Sequence, residues 1–429
     1  SQNMDKSLGT VAAPARIIEE LLLSAVDAQV SFNFEFLRYY EAEPSTLQLY
    51  CECHLNAGEL YCRIAADPRA MPKDWINLTA PLRLDQVTVP KPWGAEIWYT
   101  GIESRGICSI QNTPLPWLIA LSPKHLLGTT TAQDPILLKI LAPLQQTVYG
   151  DLYLELHEQK IEVYVVTHVD NVAWPDGKGQ IRYGFNPDKL KEFESPAAFK
   201  QAYLTAVNHY RSIREAIDLE LDKIKAANGY ALDAIIAPTL AEQWRASLDD
   251  DLNQQELQRR HAMEAFTDLK ELEVGSIIQV QPRTPHSLQH GVRVIEFQSP
   301  HYERFILSFG QKVLTQSHWD TETAINRANL ASNMALEPIS IAREPGCEVH
   351  QIVQFPQFEV RRIRLEVKSS HTLLLQDYGI LIGVEGEVRV GEQPLTNEDG
   401  MLLSAMAPAQ RLVNSGSSPA VLLLAVPRA

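Results

Sequence analysis

Apolar and polar positions change period several times along this chain, and each change predicts a different kind of element. Residues 15–27 (ARIIEELLLSAVD) predict a short helix. Two strand-like runs follow, Thr46 to Leu55 and Glu59 to Ala65, joined at Asn56-Ala57-Gly58, a tight-turn signal. From Leu82 to Asn186 the pattern is strand-rich and broken by Gly and Pro, and its clearest run is LYLELHEQKIEVYVV, Leu152 to Val166. The period then lengthens. Ser195-Pro196 is a good N-cap and first-turn pair, and Phe199, Tyr203, Ala206, Tyr210, Ile213 and Ile217 form one stripe of an amphipathic helix that ends at Asn228-Gly229. Thr239-Leu240-Ala241-Glu242 reads as a capping box opening a second helix, and Gln254 to Phe266 predicts a third.

Strands resume with SIIQV (Ser276 to Val280), VRVIEF (Val292 to Phe297) and RFILSF (Arg304 to Phe309), followed by a helical pattern around Thr321 to Met334. The last stretch is again β: FEVRRIRLEV, GILIGVEGEVRVGE with a Glu385-Gly386 turn, MLLSA and AVLLLAV. Short strands with Gly-bearing turns fit a small barrel or jelly roll. The predicted fold class is therefore mainly β with a helical insertion: one barrel interrupted by helices, then a second barrel. The expected divisions are an N-terminal extension of helix plus strands (1–85), a barrel in two parts (86–186 and 271–345) around a helical insertion (187–270), and a C-terminal barrel (346–429).

Composition narrows the function classes. With 45% hydrophobic and 21% charged residues, the chain has ample material for a core. A net charge of −15 argues against a nucleic-acid partner, while leaving room for a local basic pocket. The longest apolar runs, such as Ala420 to Val426, are far short of a membrane span, and the start carries no signal-peptide pattern. Five scattered cysteines, an odd number, read as reduced thiols in a cytoplasmic protein. Cys51-Glu52-Cys53-His54 with Cys62 could be drawn as a metal knot, but LYCECHL alternates as a plain strand does.

The candidate chemistry lies in Leu152 to Val166. Alternation points Glu155 and His157 the same way, with Tyr153 beside them, and a hairpin would fold Glu162 back over His157. Such a set suits a divalent transition metal; the alternative is a solvated hairpin with charges on its outer face. Downstream, the strand ending at Val280 leads through Gln281-Pro282-Arg283-Thr284-Pro285 to His286, a placement fit for a further ligand, although a lone histidine there also reads as a surface-turn residue. Glu296 and Arg304 sit on successive strand segments and could face the same cavity. His290 is an alternative proton carrier, or a plain loop residue. The C-terminal barrel shows no comparable set: the region of Gln376 and Asp377 lacks a His-x-His pattern, and His350 and His371 stand alone.

Over residues 88 to 429 the chain resembles the type I mannose-6-phosphate isomerase family of the cupin superfamily. Val89-Pro90-Lys91-Pro92-Trp93-Gly94-Ala95-Glu96-Ile97-Trp98 is similar to its KPWG motif, Leu118 to Gly128 to its helix ending in LLG, and Pro135 to Leu141 to the strand entering its metal site. Gly150 to Val166 is similar to the segment carrying its Ser-x-Gln-x-His and Lys-x-Glu elements. Tyr183-Gly184-Phe185-Asn186-Pro187 matches the close of that sheet, and PRTPHSLQHGVRVIEFQ (Pro282 to Gln298) resembles the PAGTxHA…GxxxxEIQ block.

The resemblance implies two cupin barrels, a zinc ion (or another divalent metal) held by Glu155, His157, Glu162 and His286, and aldose–ketose isomerisation of mannose 6-phosphate to fructose 6-phosphate through a cis-enediol. Position by position it implies Lys160 as a lysine of the site, Arg304 near the substrate-binding arginine, and Glu296 beside the substrate as a candidate base. Tyr153 stands where the family has a serine near the phosphate, Glu155 replaces its glutamine ligand, and Glu158-Gln159 replaces Pro-Asp. The metal site is expected to be retained, with a sugar phosphate or related sugar as partner. The rival readings are another cupin metalloenzyme, with iron or manganese in the same cage, and a non-catalytic sugar-binding or regulatory cupin. The N-terminal extension exceeds what the family carries before KPWG and leaves a homo-oligomer open.

Overall fold

The structure, a computed structural model, describes residues 4–104, 106–122, 135–331, 338–405 and 409–428. It is mainly β, with helices concentrated between residues 187 and 264. The last part of the LLG-like segment, residues 123–128, and the end of the helical pattern at Met334 lie outside the described residues. The chain divides into two compact units: residues 1–89, 98–139 and 336–429 form one, and residues 90–97 and 140–335 form the other.

The first unit holds a five-stranded sheet from the N-terminal segment and, from the C-terminal region, a seven-stranded and a four-stranded sheet. Strand Ser45–Asn56 pairs with Glu59–Ala65 across a turn in which Ala57 and Gly58 both take positive φ (49° and 81°), as the turn residues predict. On its other side it pairs with Ala28–Arg38, a strand the sequence reading passes over. Cys51, Cys53 and Cys62 all lie in the core, whereas His54 is half-buried and stacks on Tyr61. The thiols and the imidazole therefore sit on opposite faces, and the plain-strand reading holds. In the C-terminal region one core draws on both sheets, with Ile363, Leu381 and Leu424 from the larger and Leu373, Val390 and Leu412 from the smaller. Leu82–Arg83 completes the larger sheet by pairing with Gly400–Leu403.

The second unit contains a six-stranded sheet that includes Ile277–Val280, Glu162–Val169 and Val292–Gln298. Its five-stranded sheet runs in the order Thr267–Leu272, Gly179–Phe185, His286–Leu288, Leu154–Leu156, Phe305–Ser308. Tyr164, Ile278 and Val294 from the first sheet and Ile181, Leu288 and Ile306 from the second share one core. Among the described residues no sheet closes on itself, so the expected barrels are represented here by open, facing sheets.

Helix Pro196–Ala227 starts where its capping residues place it: Ser195 Oγ accepts from the Ala198 N–H at 3.1 Å, and Pro196 occupies the first turn, where a missing N–H costs nothing. Phe199, Tyr203, Val207, Tyr210, Ile213 and Ile217 bury one stripe against Leu154, Leu156, Phe185, Phe266 and Leu307. Val207, rather than Ala206, is the fully buried position. The second helix departs from expectation. Pro238 opens it, Ala237 precedes it without a side-chain cap, and Thr239 lies inside the first turn, so the predicted capping box does not form. The third helix begins at Asp250, capped by Asp249, earlier than its apolar pattern implies.

Candidate metal centre

The short strand Leu154–Leu156 is flanked by His286–Leu288 on one side and Phe305–Ser308 on the other, and Glu155 is the register partner of His286. Beyond Leu156 the chain departs from the sequence expectation. Leu154–Leu156 and Glu162–Val169 are not a hairpin: they belong to different sheets, and residues 157–161 carry the chain from one to the other. The crossing still delivers Glu162 to His157.

Four side chains converge. His157 Nε2 lies 3.8 Å from Glu155 Oε1 and 3.4 Å from Glu162 Oε1, and His286 Nε2 lies 2.8 Å from Glu162 Oε1. The two imidazole rings are 5.1 Å apart. Potential ligand atoms of Glu155, His157 and His286 all lie within 4.8 Å of one another. His157, His286 and Glu162 are buried at 3%, 2% and 0% exposure, which rules out the solvated-hairpin and surface-turn alternatives.

Both tautomers are fixed from behind. His157 Nδ1 lies 2.8 Å from the Glu303 carbonyl oxygen, and His286 Nδ1 lies 2.9 Å from that of Thr284. A proton on each Nδ1 leaves Nε2 with its lone pair, the usual outer arrangement of a metal-binding imidazole. Both Nε2 atoms are turned toward carboxylate oxygens, and Glu155 Oε2 is buried without a hydrogen-bond partner among the described residues. Imidazole and carboxylate lone pairs gathered at one buried point suit a common cation. Two imidazoles and two carboxylates are a donor set for a divalent transition metal.

The electrostatics agree. Burial pushes the Glu162 carboxyl up, but Lys160, a hydrogen bond shared with Glu296 and the two imidazoles together outweigh it and hold Glu162 well below the usual carboxylate range. Lys160 Nζ is 2.9 Å from Glu162 Oε2 and 3.9 Å from Glu296 Oε1. Burial and Lys160 depress the His157 imidazole, keeping it neutral as a ligand must be. Burial also works against charge on His286, but Glu162 and Glu155 raise its pKa above the ordinary value. A divalent cation at the same point would balance those carboxylates instead.

The remaining sequence candidates fall around this cluster. Glu296 is buried. Tyr153 is buried, its ring 4.3 Å from Phe309 and 5.1 Å from the Arg304 guanidinium, and its hydroxyl has no hydrogen-bond partner among the described residues. Arg304 also donates to Thr315 Oγ1 at 3.0 Å. His290 stands apart, buried against Trp174 with Nδ1 2.7 Å from Asp151. Glu158 pairs instead with Arg327.

Sequence reasoning missed two contributors. Glu303 positions His157 through its carbonyl, while its carboxylate accepts the backbone N–H groups of Gln159 and Lys160, which fixes the crossing segment. Tyr164 donates to Glu162 Oε1 at 3.1 Å from the same strand. The Tyr164 signal was available, since i and i+2 on a strand share a face; Glu303 carries none.

Fold and site together define a mainly β protein with a buried two-histidine, two-carboxylate cluster suited to a divalent metal. Its fold is that of the mannose 6-phosphate isomerases. A Bacillus subtilis mannose 6-phosphate isomerase structure matches 81% of this chain and 99% of its own length, with a TM-score of 0.56 and 15% identity. A zinc-bound mannose 6-phosphate isomerase matches 80% and 99%, with a TM-score of 0.55 and 13% identity. The apo enzyme from Salmonella typhimurium matches 82% and 100%, with a TM-score of 0.51 and 13% identity. No protein-family model matches the chain, and no curated protein matches it. No helix among the described residues is long and apolar enough to cross a membrane.

Proposed function

We propose that this chain is a cytoplasmic, metal-dependent sugar isomerase of the two-barrel cupin type, interconverting mannose 6-phosphate or a closely related sugar phosphate with its ketose. The observation that carries the reading is the convergence of Glu155, His157, Glu162 and His286 on one buried point, in a fold shared with proteins of that activity. Zinc is the metal of choice, as a related structure holds it.

A divalent cation held by Glu155, His157, Glu162 and His286 would supply Lewis-acid stabilisation of negative charge developing on the sugar oxygens. The rest falls to the protein. Glu296 is the base that carries a proton between C1 and C2, sequestered from water. Lys160 lies between Glu162 and Glu296 and favours the ionised form of Glu162. Arg304, stacked over Tyr153, holds the anionic end of the substrate, and the Tyr153 ring limits how far that end can enter.

Metal analysis of the purified protein, paired with a mannose 6-phosphate to fructose 6-phosphate assay, tests the reading. The expected result is one divalent ion per chain and turnover, both lost in His157→Ala and in His286→Ala. Absence of a stoichiometric divalent ion would sink it. Two carboxylates beside two imidazoles also suit Fe2+ or Mn2+ in another cupin metalloenzyme, and a strict oxygen requirement would mark that second reading.

A further inference from the structure

The second unit contains a cavity of about 320 Å³ that shares no residue with the metal cluster. Helices Pro196–Ala227, Pro238–Ala246 and Asp250–Glu264 line it, together with residues 147–149 and 310–312. Strand alternation accounts for the separation. Leu154, Leu156 and Leu307 belong to the core shared with the helices, whereas Tyr153 and Ile306 belong to the core between the sheets. The cavity therefore opens on the helical side of the sheet whose other face carries Glu155.

Its charges are unevenly spent. Five cations, Arg214, Lys225, Arg245, Arg260 and Lys312, line it with three enclosed carboxylates, Asp218, Asp222 and Glu256; a fourth, Glu242, is exposed. Arg214 is used up by Asp218 and the Gly310 carbonyl. Lys312 grips both oxygens of Asp222, and Lys225 donates to the Leu232 carbonyl.

Glu256 is saturated: it accepts from Tyr210 at 3.0 Å and from Arg260 Nε at 3.0 Å, with Arg245 at 3.5 Å. Arg245 gives its Nε to Asn253. The terminal nitrogens of Arg260 and one of Arg245 then have no protein acceptor among the described residues. Tyr149, Trp244, Leu221 and Ile236 supply an apolar and aromatic wall beside them.

We propose that this cavity is a binding site for a small organic anion: a phosphate or carboxylate on a flat apolar ring, its charged end on Arg245 and Arg260 and its ring against Tyr149 and Trp244. The volume is at the small end of the usual range for ligand pockets, about 300–1,000 Å³, and matches a single substituted ring rather than a nucleotide. Guanidinium groups with free paired donors select planar or tetrahedral oxyanions over neutral ligands.

Titrating the full chain with phenyl phosphate, benzoate and benzyl alcohol, read by calorimetry and tryptophan fluorescence, tests this. The expected result is saturable one-to-one binding of at least one anion, with a change in Trp244 emission and no binding of the alcohol. The two anions tell phosphate from carboxylate. Arg245→Met and Arg260→Met should each weaken binding about tenfold. Ala241→Trp, which fills the cavity without removing a charge, should abolish it while leaving the metal content unchanged, and it decides the matter if the arginine variants fold poorly. Binding should persist in His157→Ala, which separates this site from the metal cluster whatever the fate of the isomerase assay. Failure of both anions to bind, equal binding of benzyl alcohol, or undiminished binding in Ala241→Trp would overturn the proposal.

Discussion

Glu155 and His286 are register partners on adjacent antiparallel strands, although the whole helical block separates them in sequence. Their side chains share one face of the sheet because opposed positions on neighbouring strands project the same way. The crossing segment then swings His157 and Glu162 toward that face from the other end of the same strand. The cluster is thus fixed by backbone pairing, which explains how it can assemble from positions so far apart.

The two carboxylates should respond differently to neutralisation. Glu155→Gln keeps shape and removes one anionic donor, and we expect metal affinity to fall by about tenfold with little loss of stability. Glu162→Gln should lower metal affinity and also destabilise the fold by about 3 kcal/mol, because it removes the nearest counter-charge of the buried Lys160. Chelator competition and urea denaturation, run on both variants, separate these effects. Equal stability losses would contradict the assignment of Lys160 to Glu162.

Gly94 is required by the backbone. Its φ is +147°, a region that side-chain-bearing residues rarely adopt, and a Cβ there would run into the Ala142 carbonyl oxygen. Gly94→Ala should cost about 1–3 kcal/mol in chemical denaturation. The adjoining Trp93, 2% exposed, lies in the same core as Tyr164 and Tyr153, so near-ultraviolet circular dichroism should change as well.

Much of the cluster is legible in the sequence, because alternation along a strand fixes which residues share a face. Glu155 and Tyr153 follow from that rule alone. The connection between His157 and Glu162 does not. A tight hairpin and a crossing between sheets both leave period-two patterns on either side, and only long-range pairing decides between them. The strand Ala28–Arg38 was legible in VSFNFEF, whose alternation is strict. The start of the helix at Pro238 was obscured by a motif match at Thr239 that ignored proline's preference for the first turn. Glu303 could not have been found, since its role depends on a carbonyl, which every residue possesses. The helical cavity is equally invisible, because its arginines fall on separate helices whose packing no local pattern encodes.

All five cysteines are buried, so native protein should be nearly inert to thiol reagents. Burial raises the thiols of Cys51, Cys53 and Cys62, and it pushes Cys108 up to about 12. The reactive thiolate is therefore scarce as well as enclosed. A colorimetric thiol titration should register almost none before denaturant is added and five afterwards, in line with the sequence count. Rapid native labelling of Cys51 or Cys53 would show that the N-terminal sheet opens readily.

Glu256 gives the helical region a specific acid sensitivity. Burial pushes its carboxyl up, but Arg260, Arg245 and Arg214 outweigh that and hold it below its ordinary value of 4.5. A carboxylate depressed in the folded state contributes stability that is complete above its unfolded pKa and is lost as the pH falls through its folded pKa. The contribution should therefore be full above about pH 4.5 and fade below it. Glu256→Gln removes the titrating group while leaving Arg260 and Arg245 short of an anion. We expect a loss of about 2 kcal/mol near neutrality, less than for a fully enclosed pair because these guanidinium side chains keep 16% and 20% exposure. Urea midpoints followed from about pH 7 to about pH 3 should converge for wild type and variant at the acid end. Parallel curves, with the variant equally weakened throughout, would mean that Glu256 acts through shape and hydrogen bonds rather than through its charge.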